Sequence, residues 1–160
     1  MRTNNAKKIE VFVLDVDGVM TTGHFLYDKY GKAFKVFGPH DADGLRLIRD
    51  KVSIRFISAD TNGESITRAR IERDMGYPLT IVSEAERRQF ILNQHEDPDC
   101  IAFMGDGYYD ALVFPHVGVS LCPINAREEC LEAATFVTPS RSGEGAVMDA
   151  CLYLVKTGMV

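Results

Sequence analysis

The chain has 160 residues, 46% of them hydrophobic, a net charge of −5 and a sequence pI near 5.3. That is enough apolar material for one core of ordinary size, which excludes the disordered class. The acidic balance argues against a nucleic-acid partner, which needs a basic face. No run of about 18 apolar residues is present, so no membrane span is expected. The opening MRTNNAKKIE has no apolar stretch after its basic residues, so it does not read as a signal peptide. Cys100, Cys122, Cys130 and Cys151 form no CxxC pair and are expected as reduced core thiols of a cytoplasmic protein.

Glu10–Leu14 (EVFVL) is a continuous apolar run, the pattern of a strand buried on both faces. Next, His24–Tyr27 (HFLY) and Lys32–Phe37 (KAFKVF) flank Asp28-Lys29-Tyr30-Gly31, a β-hairpin over about 24–37. Its aromatics Phe25, Tyr27, Phe34 and Phe37 would be costly to leave in water, so the hairpin is expected to form a homo-oligomer interface. From there helices and strands alternate. Helices are expected at about Ala42–Lys51, Gly63–Met75, Glu84–His95, Tyr109–Phe114, Ala126–Ala133 and Gly145–Lys156. Strands are expected at Ser53–Ile57, Leu79–Val82, Ile101–Met104, Val117–Leu121 and Thr135–Val137. In the last helix Ala146, Val147, Ala150, Cys151, Leu154 and Val155 make one apolar face. The alternation predicts a single α/β domain over 1–160: a Rossmann-type parallel sheet with helices on both faces, an inserted hairpin and no large cap domain.

Two acidic clusters follow strands. Asp15-Val16-Asp17-Gly18-Val19 ends the first, and Gly105-Asp106-Gly107-Tyr108-Tyr109-Asp110 ends the IAFM strand. Each alone admits a bland reading, as solvated turn acids or as a helix N-cap. Together they say more. Ligands of open α/β sheets bind beyond the carboxyl ends of the strands. Adjacent parallel strands would bring Asp15, Asp17 and Asp106 within reach of one cation. An oxygen-only ligand set suits Mg²⁺, which also binds phosphate.

VLDVDGVMT resembles the first motif of the haloacid dehalogenase superfamily, Asp-x-Asp-Gly followed by an apolar residue and Thr, and GDGYYDA resembles its fourth. More narrowly, the chain resembles the 3-deoxy-D-manno-octulosonate 8-phosphate and sialic-acid phosphate phosphatases over about residues 9–156. The hairpin, the Phe37–Arg46 run and Ser142-Gly143-Glu144-Gly145-Ala146-Val147 carry that narrower likeness. The resemblance implies a Mg²⁺-dependent phosphomonoesterase acting through an aspartyl-phosphate on an acidic sugar phosphate, assembled as a homotetramer. It implies that Asp15 is the nucleophile and Asp17 the general acid–base. The ion would be held by Asp15, the Asp17 carbonyl and Asp106, with Asp110 and Gly107 in support. Ser58, Ala59 and Arg87 would hold the phosphoryl oxygens.

The chain departs from the pattern at four places. Ser58-Ala59-Asp60 stands where the superfamily has Thr-Gly-Arg, which removes a cation next to the leaving group. The third motif's Lys is absent, and Arg87 or Arg88 takes its slot, with the alignment favouring Arg87. Gly107 replaces an acid, and His40 stands where the subfamily has Arg, so His40 is a candidate pocket residue. These changes leave an alternative open: a catalytically impaired oligomeric or regulatory module that keeps the fold and the metal site.

Overall fold

Val11–Asp15 (β1) has no position facing solvent; all five residues are buried, which is why the run is apolar throughout instead of alternating. In the computed structural model, which describes residues 7–160, β1 lies in the middle of a six-stranded sheet. The rest of that sheet is Ser53–Ser58 (β4), Leu79–Ile81 (β5), Ile101–Met104 (β6), Val119–Pro123 (β7) and Phe136–Thr138 (β8). The strand order is β5-β4-β1-β6-β7-β8, and every pairing is parallel.

Alternate residues of β1 serve opposite layers. Phe12 and Leu14 join a core with Leu45, Ile48, Phe56, Ala150 and Leu154. Val11 and Val13 join a second core with Ile57, Ile91, Phe103 and Val113. The helices His40–Ile48 (α1) and Ala146–Lys156 (α6) cover the first layer, and Glu84–Leu92 (α3) supplies Ile91 to the second. α6 is tied down at its start: the Val147 and Met148 N–H groups donate to the buried Asp41 Oδ1 at 2.9 and 3.3 Å. The four cysteines are free and buried.

The remaining helices are shorter than expected. The Gly63–Met75 stretch splits into Glu64–Arg68 (α2) and a π-helical continuation, Ala69–Asp74. The stretch over Tyr109–Phe114 is only Tyr108–Ala111 (α4); Pro115 then sits in a 3₁₀ turn, Phe114–His116. Ala126–Ala133 begins late, as Glu128–Ala133 (α5). The reading of the N-terminus as lacking a signal peptide rests partly on residues 1–6, outside the described residues.

The hairpin is longer than 24–37: Thr21–Asp28 (β2) pairs antiparallel with Gly31–Phe37 (β3). Phe25, Tyr27 and Phe34 are exposed. Phe37 is not, because at the hairpin's base it packs against the first core. The register holds an irregularity: Leu26 faces Phe34 and Tyr27 faces Lys32, so Ala33 is an extra residue, a β-bulge. In a regular strand, residues three apart point to opposite faces. The bulge resets the alternation, and Lys32 and Lys35 reach the same side.

Candidate active site

The turn after β1 is built on Val16. Its carbonyl accepts from the Val19, Met20 and Thr21 N–H groups, and its own N–H donates to Asp15 Oδ1 at 2.8 Å. Gly18 sits at φ +82°, and a Cβ there would overlap the Asp106 carboxylate. Only glycine satisfies both conditions. β6 delivers Asp106 beside the turn because β1 and β6 are neighbours.

Asp15, Asp106 and Asp110 each place a carboxylate oxygen within 4.8 Å of the others. Asp110 organises the loop that carries Asp106: its Oδ2 accepts from the Asp106 and Gly107 N–H groups at 2.9 and 3.0 Å. Its Oδ1 accepts from Arg87 Nη1 at 2.5 Å, and the same nitrogen lies 3.2 Å from Asp15 Oδ2. Arg87 is buried while Arg88 is exposed, so the structure brings Arg87 to the site, not Arg88. Arg87 Nε is buried with no partner among the described residues.

These groups surround a cavity of about 460 Å³ lined by Asp15, Asp17, Ala59, Asp60, Arg87 and Asp106, with Gly107 and Asp110 beside them. Phe25, Lys32, Glu84, Tyr108 and Tyr109 complete the wall. Ser58 is fully buried behind it. Its hydroxyl donates to Asp17 Oδ2 at 3.1 Å, so it orients an acid where a phosphoryl contact was expected. His40 is exposed at the start of α1 and does not line the cavity. Its neighbour Asp41 turns inward to hold α6, which keeps this end of α1 against the helix layer and away from the site.

Burial pushes Asp15 well above the usual carboxylate range; Arg87 opposes that rise, while Asp110, Asp106 and Asp17 add to it. Burial and the Asp110 charge push Asp106 up to about 7, again against Arg87. Three carboxylates share one guanidinium, and the excess negative charge fits a divalent cation. All the donors are oxygens, which suits Mg²⁺ or a similar hard ion.

The sequence reading missed Lys32 and Lys35. Lys35 Nζ lies 2.8 Å from Asp17 Oδ1 and 2.8 Å from Asp60 Oδ2, and Lys32 Nζ lies 2.6 Å from Asp60 Oδ2. Burial would raise Asp60, but the two lysines outweigh it and hold its carboxyl below the ordinary value. Asp60 therefore does not leave an uncompensated negative charge where a cation was expected. The hairpin supplies two cations from another direction.

Comparison with known proteins places these features in context. No family model matches the chain. It is 28% identical over 155 residues to the 3-deoxy-D-manno-octulosonate 8-phosphate phosphatase KdsC of Yersinia pestis, covering 91% of this chain and 79% of that one. Among solved structures, a protein of Legionella pneumophila assigned to the HAD superfamily, subfamily III A, superposes with a TM-score of 0.82 at 27% identity, covering 94% of this chain and 84% of the other. The cobalt-bound deoxy-D-mannose-octulosonate 8-phosphate phosphatase of Haemophilus influenzae gives a TM-score of 0.81 at 25% identity, covering 94% and 90%.

Proposed function

Because the chain belongs to the haloacid dehalogenase superfamily, with octulosonate 8-phosphate phosphatases among its relatives, we propose that it is a phosphatase that hydrolyses an acidic sugar phosphate through an aspartyl-phosphate. The observation that carries this reading is the convergence of Asp15, Asp17, Asp106 and Arg87 on one cavity at the carboxyl ends of β1 and β6.

In this reading Asp15, Asp106 and the Asp17 carbonyl would hold a divalent ion, which would supply charge neutralisation for the phosphoryl group. The remaining work falls to the chain itself. Asp15 attacks phosphorus as the ester bond breaks. Asp17 gives its proton to the leaving alkoxide and later takes one from the hydrolytic water. Arg87, anchored by Asp15 and Asp110 through Nη1, holds its positive charge in the cavity wall where the phosphoryl oxygens would dock. In the turn after Asp15 the Val16, Gly18, Val19, Met20 and Thr21 N–H groups are already bonded within the protein, which leaves the Asp17 N–H as a further donor.

Two relatives act on octulosonate 8-phosphate by name, which makes octulosonate and nonulosonate phosphates the first substrates to try. The proposed setting is a cytoplasmic homo-oligomer, a tetramer by resemblance. The free buried cysteines and the exposed hairpin aromatics support it, and no helix among the described residues is long and apolar enough to cross a membrane. The test is phosphate release from a panel of esters with Mg²⁺ and with chelator. Turnover that needs the ion and favours the acidic sugar phosphates is the expected result. A folded, Mg²⁺-loaded protein inert toward every ester would replace this reading with that of a non-catalytic module.

A further inference from the structure

Lys35 is a long, charged side chain from the inserted hairpin with no exposure to solvent. A buried ammonium persists only when its charge and donors are matched, and each of its partners is identifiable. Lys35 Nζ donates to Thr67 Oγ1 at 2.8 Å and forms ion pairs with Asp17 Oδ1 and Asp60 Oδ2, both at 2.8 Å. The other Asp17 oxygen accepts from Ser58 Oγ, and Ser58 Oγ in turn accepts from the Asp60 N–H. Asp60 is itself fixed: the Gly63 N–H donates to its Oδ1 at 3.1 Å, and Lys32 grips its Oδ2. Packing closes the arrangement, since a Cβ at Gly63 would overlap the Asp60 carboxylate and crowd Lys35. Both oxygens of Asp17 are thus held from outside its own turn.

On the phosphatase reading above, we propose that Lys35, anchored by Asp60, is the positioning residue that aims Asp17 at the leaving oxygen. In the step it serves, a bond forms from an Asp15 oxygen to phosphorus while the ester P–O bond breaks. The electron pair stays on the departing oxygen, which takes the proton that Asp17 carries on Oδ2, the oxygen not paired with Lys35. Lys35 touches neither phosphorus nor the alcohol. Proton transfer requires the donor within hydrogen-bond reach and correctly directed, and a carboxylate tethered at one oxygen only would swing away.

The experiment compares two esters. p-Nitrophenyl phosphate releases a phenolate that needs no proton, and an alkyl phosphate releases an alkoxide that does. kcat/KM reports only the steps through loss of the alcohol, so it isolates proton delivery from later hydrolysis. Lys35→Met is expected to lose about a hundredfold in kcat/KM on the alkyl ester, the low end for loss of a general acid, and less than about tenfold on the aryl ester. Lys35→Arg restores part of the alkyl rate, and Asp60→Asn shows the same selectivity in weaker form. Should Lys35→Met fail to fold, Lys35→Arg and Asp60→Asn carry the same comparison. Equal losses on both esters would overturn the proposal and leave Lys35 as a packing residue. Wild-type protein inactive on both would instead overturn the phosphatase reading on which it rests.

Discussion

Gly18 packs against Asp106 so closely that a side chain of any size at 18 would overlap that carboxylate. The contact joins the turn after β1 to the loop after β6, the two segments that make the ion site. Gly18→Ala is expected to weaken Mg²⁺ binding by more than tenfold. It also forces a non-glycine residue to φ +82°, at about 1–2 kcal/mol in stability. Calorimetric Mg²⁺ titration and thermal unfolding check both; unchanged affinity would sink the ion-site assignment.

The nucleophile and the acid–base separate cleanly in kinetics. Asp15→Asn is expected to abolish turnover while circular dichroism stays native. Asp17→Asn is expected to lose roughly 10²–10⁴-fold in rate. Appreciable hydrolysis by Asp15→Asn would refute covalent catalysis at that residue.

Arg87 offers a graded test. Replacing it by Ala strands Asp15 and Asp110 without their cation. Breaking a buried pair in this way costs about 3–5 kcal/mol, read by denaturant unfolding of the metal-free protein. Arg87→Lys keeps the charge but loses the planar fork, so the fold survives and inhibition by inorganic phosphate weakens. A Lys variant that binds phosphate as wild type would exclude the guanidinium from phosphoryl recognition.

Asp106 gives a pH dependence with a definite sign. Its folded-state value, pushed up to about 7, lies above the ordinary carboxylate value of 3.8. Its stabilising contribution is therefore complete below pH 3.8 and is lost as pH rises through about 7. Between pH 5 and 8 the Tm of chelator-treated protein is expected to fall from this source, while the Tm gain on adding Mg²⁺ grows. A Mg²⁺ gain that is flat across that window would disconnect this carboxylate from the ion.

Leu26, Phe34 and Val36 form an exposed apolar stripe on the hairpin, Phe34 being 67% exposed. A self-associating chain is expected to hide it. Light scattering at micromolar concentration should show an oligomer, and Phe34→Lys should shift it toward monomer. A wild-type monomer would remove the hairpin as an interface.

Much of this was legible from residue order. The continuous run ending at Asp15 and the IAFM run ending at Asp106 gave the sheet's centre, because strands buried on both faces leave no polar alternation to misread. Arg87 was separable from Arg88 only by alignment, since both lie on the same charged helix and burial alone distinguishes them. Lys32 and Lys35 were not legible as a pair. Their spacing of three implies opposite faces, and the bulge at Ala33 that reunites them leaves no mark in composition. His40 was misplaced for a related reason: the neighbouring acid Asp41 found helix amides to bond, and that turned the segment away from the cavity.

The pairing of β1 with β6 has a consequence for how the molecule matures. Val11 lies opposite Ile101, so half the acids arrive on a strand that emerges some ninety residues after the other half. Until that late strand slots in, no cage exists for a cation to occupy, and contacts so distant in the chain close slowly. An ion that recognises only the finished arrangement favours it by mass action. Magnesium would then act as a lock on the completed topology.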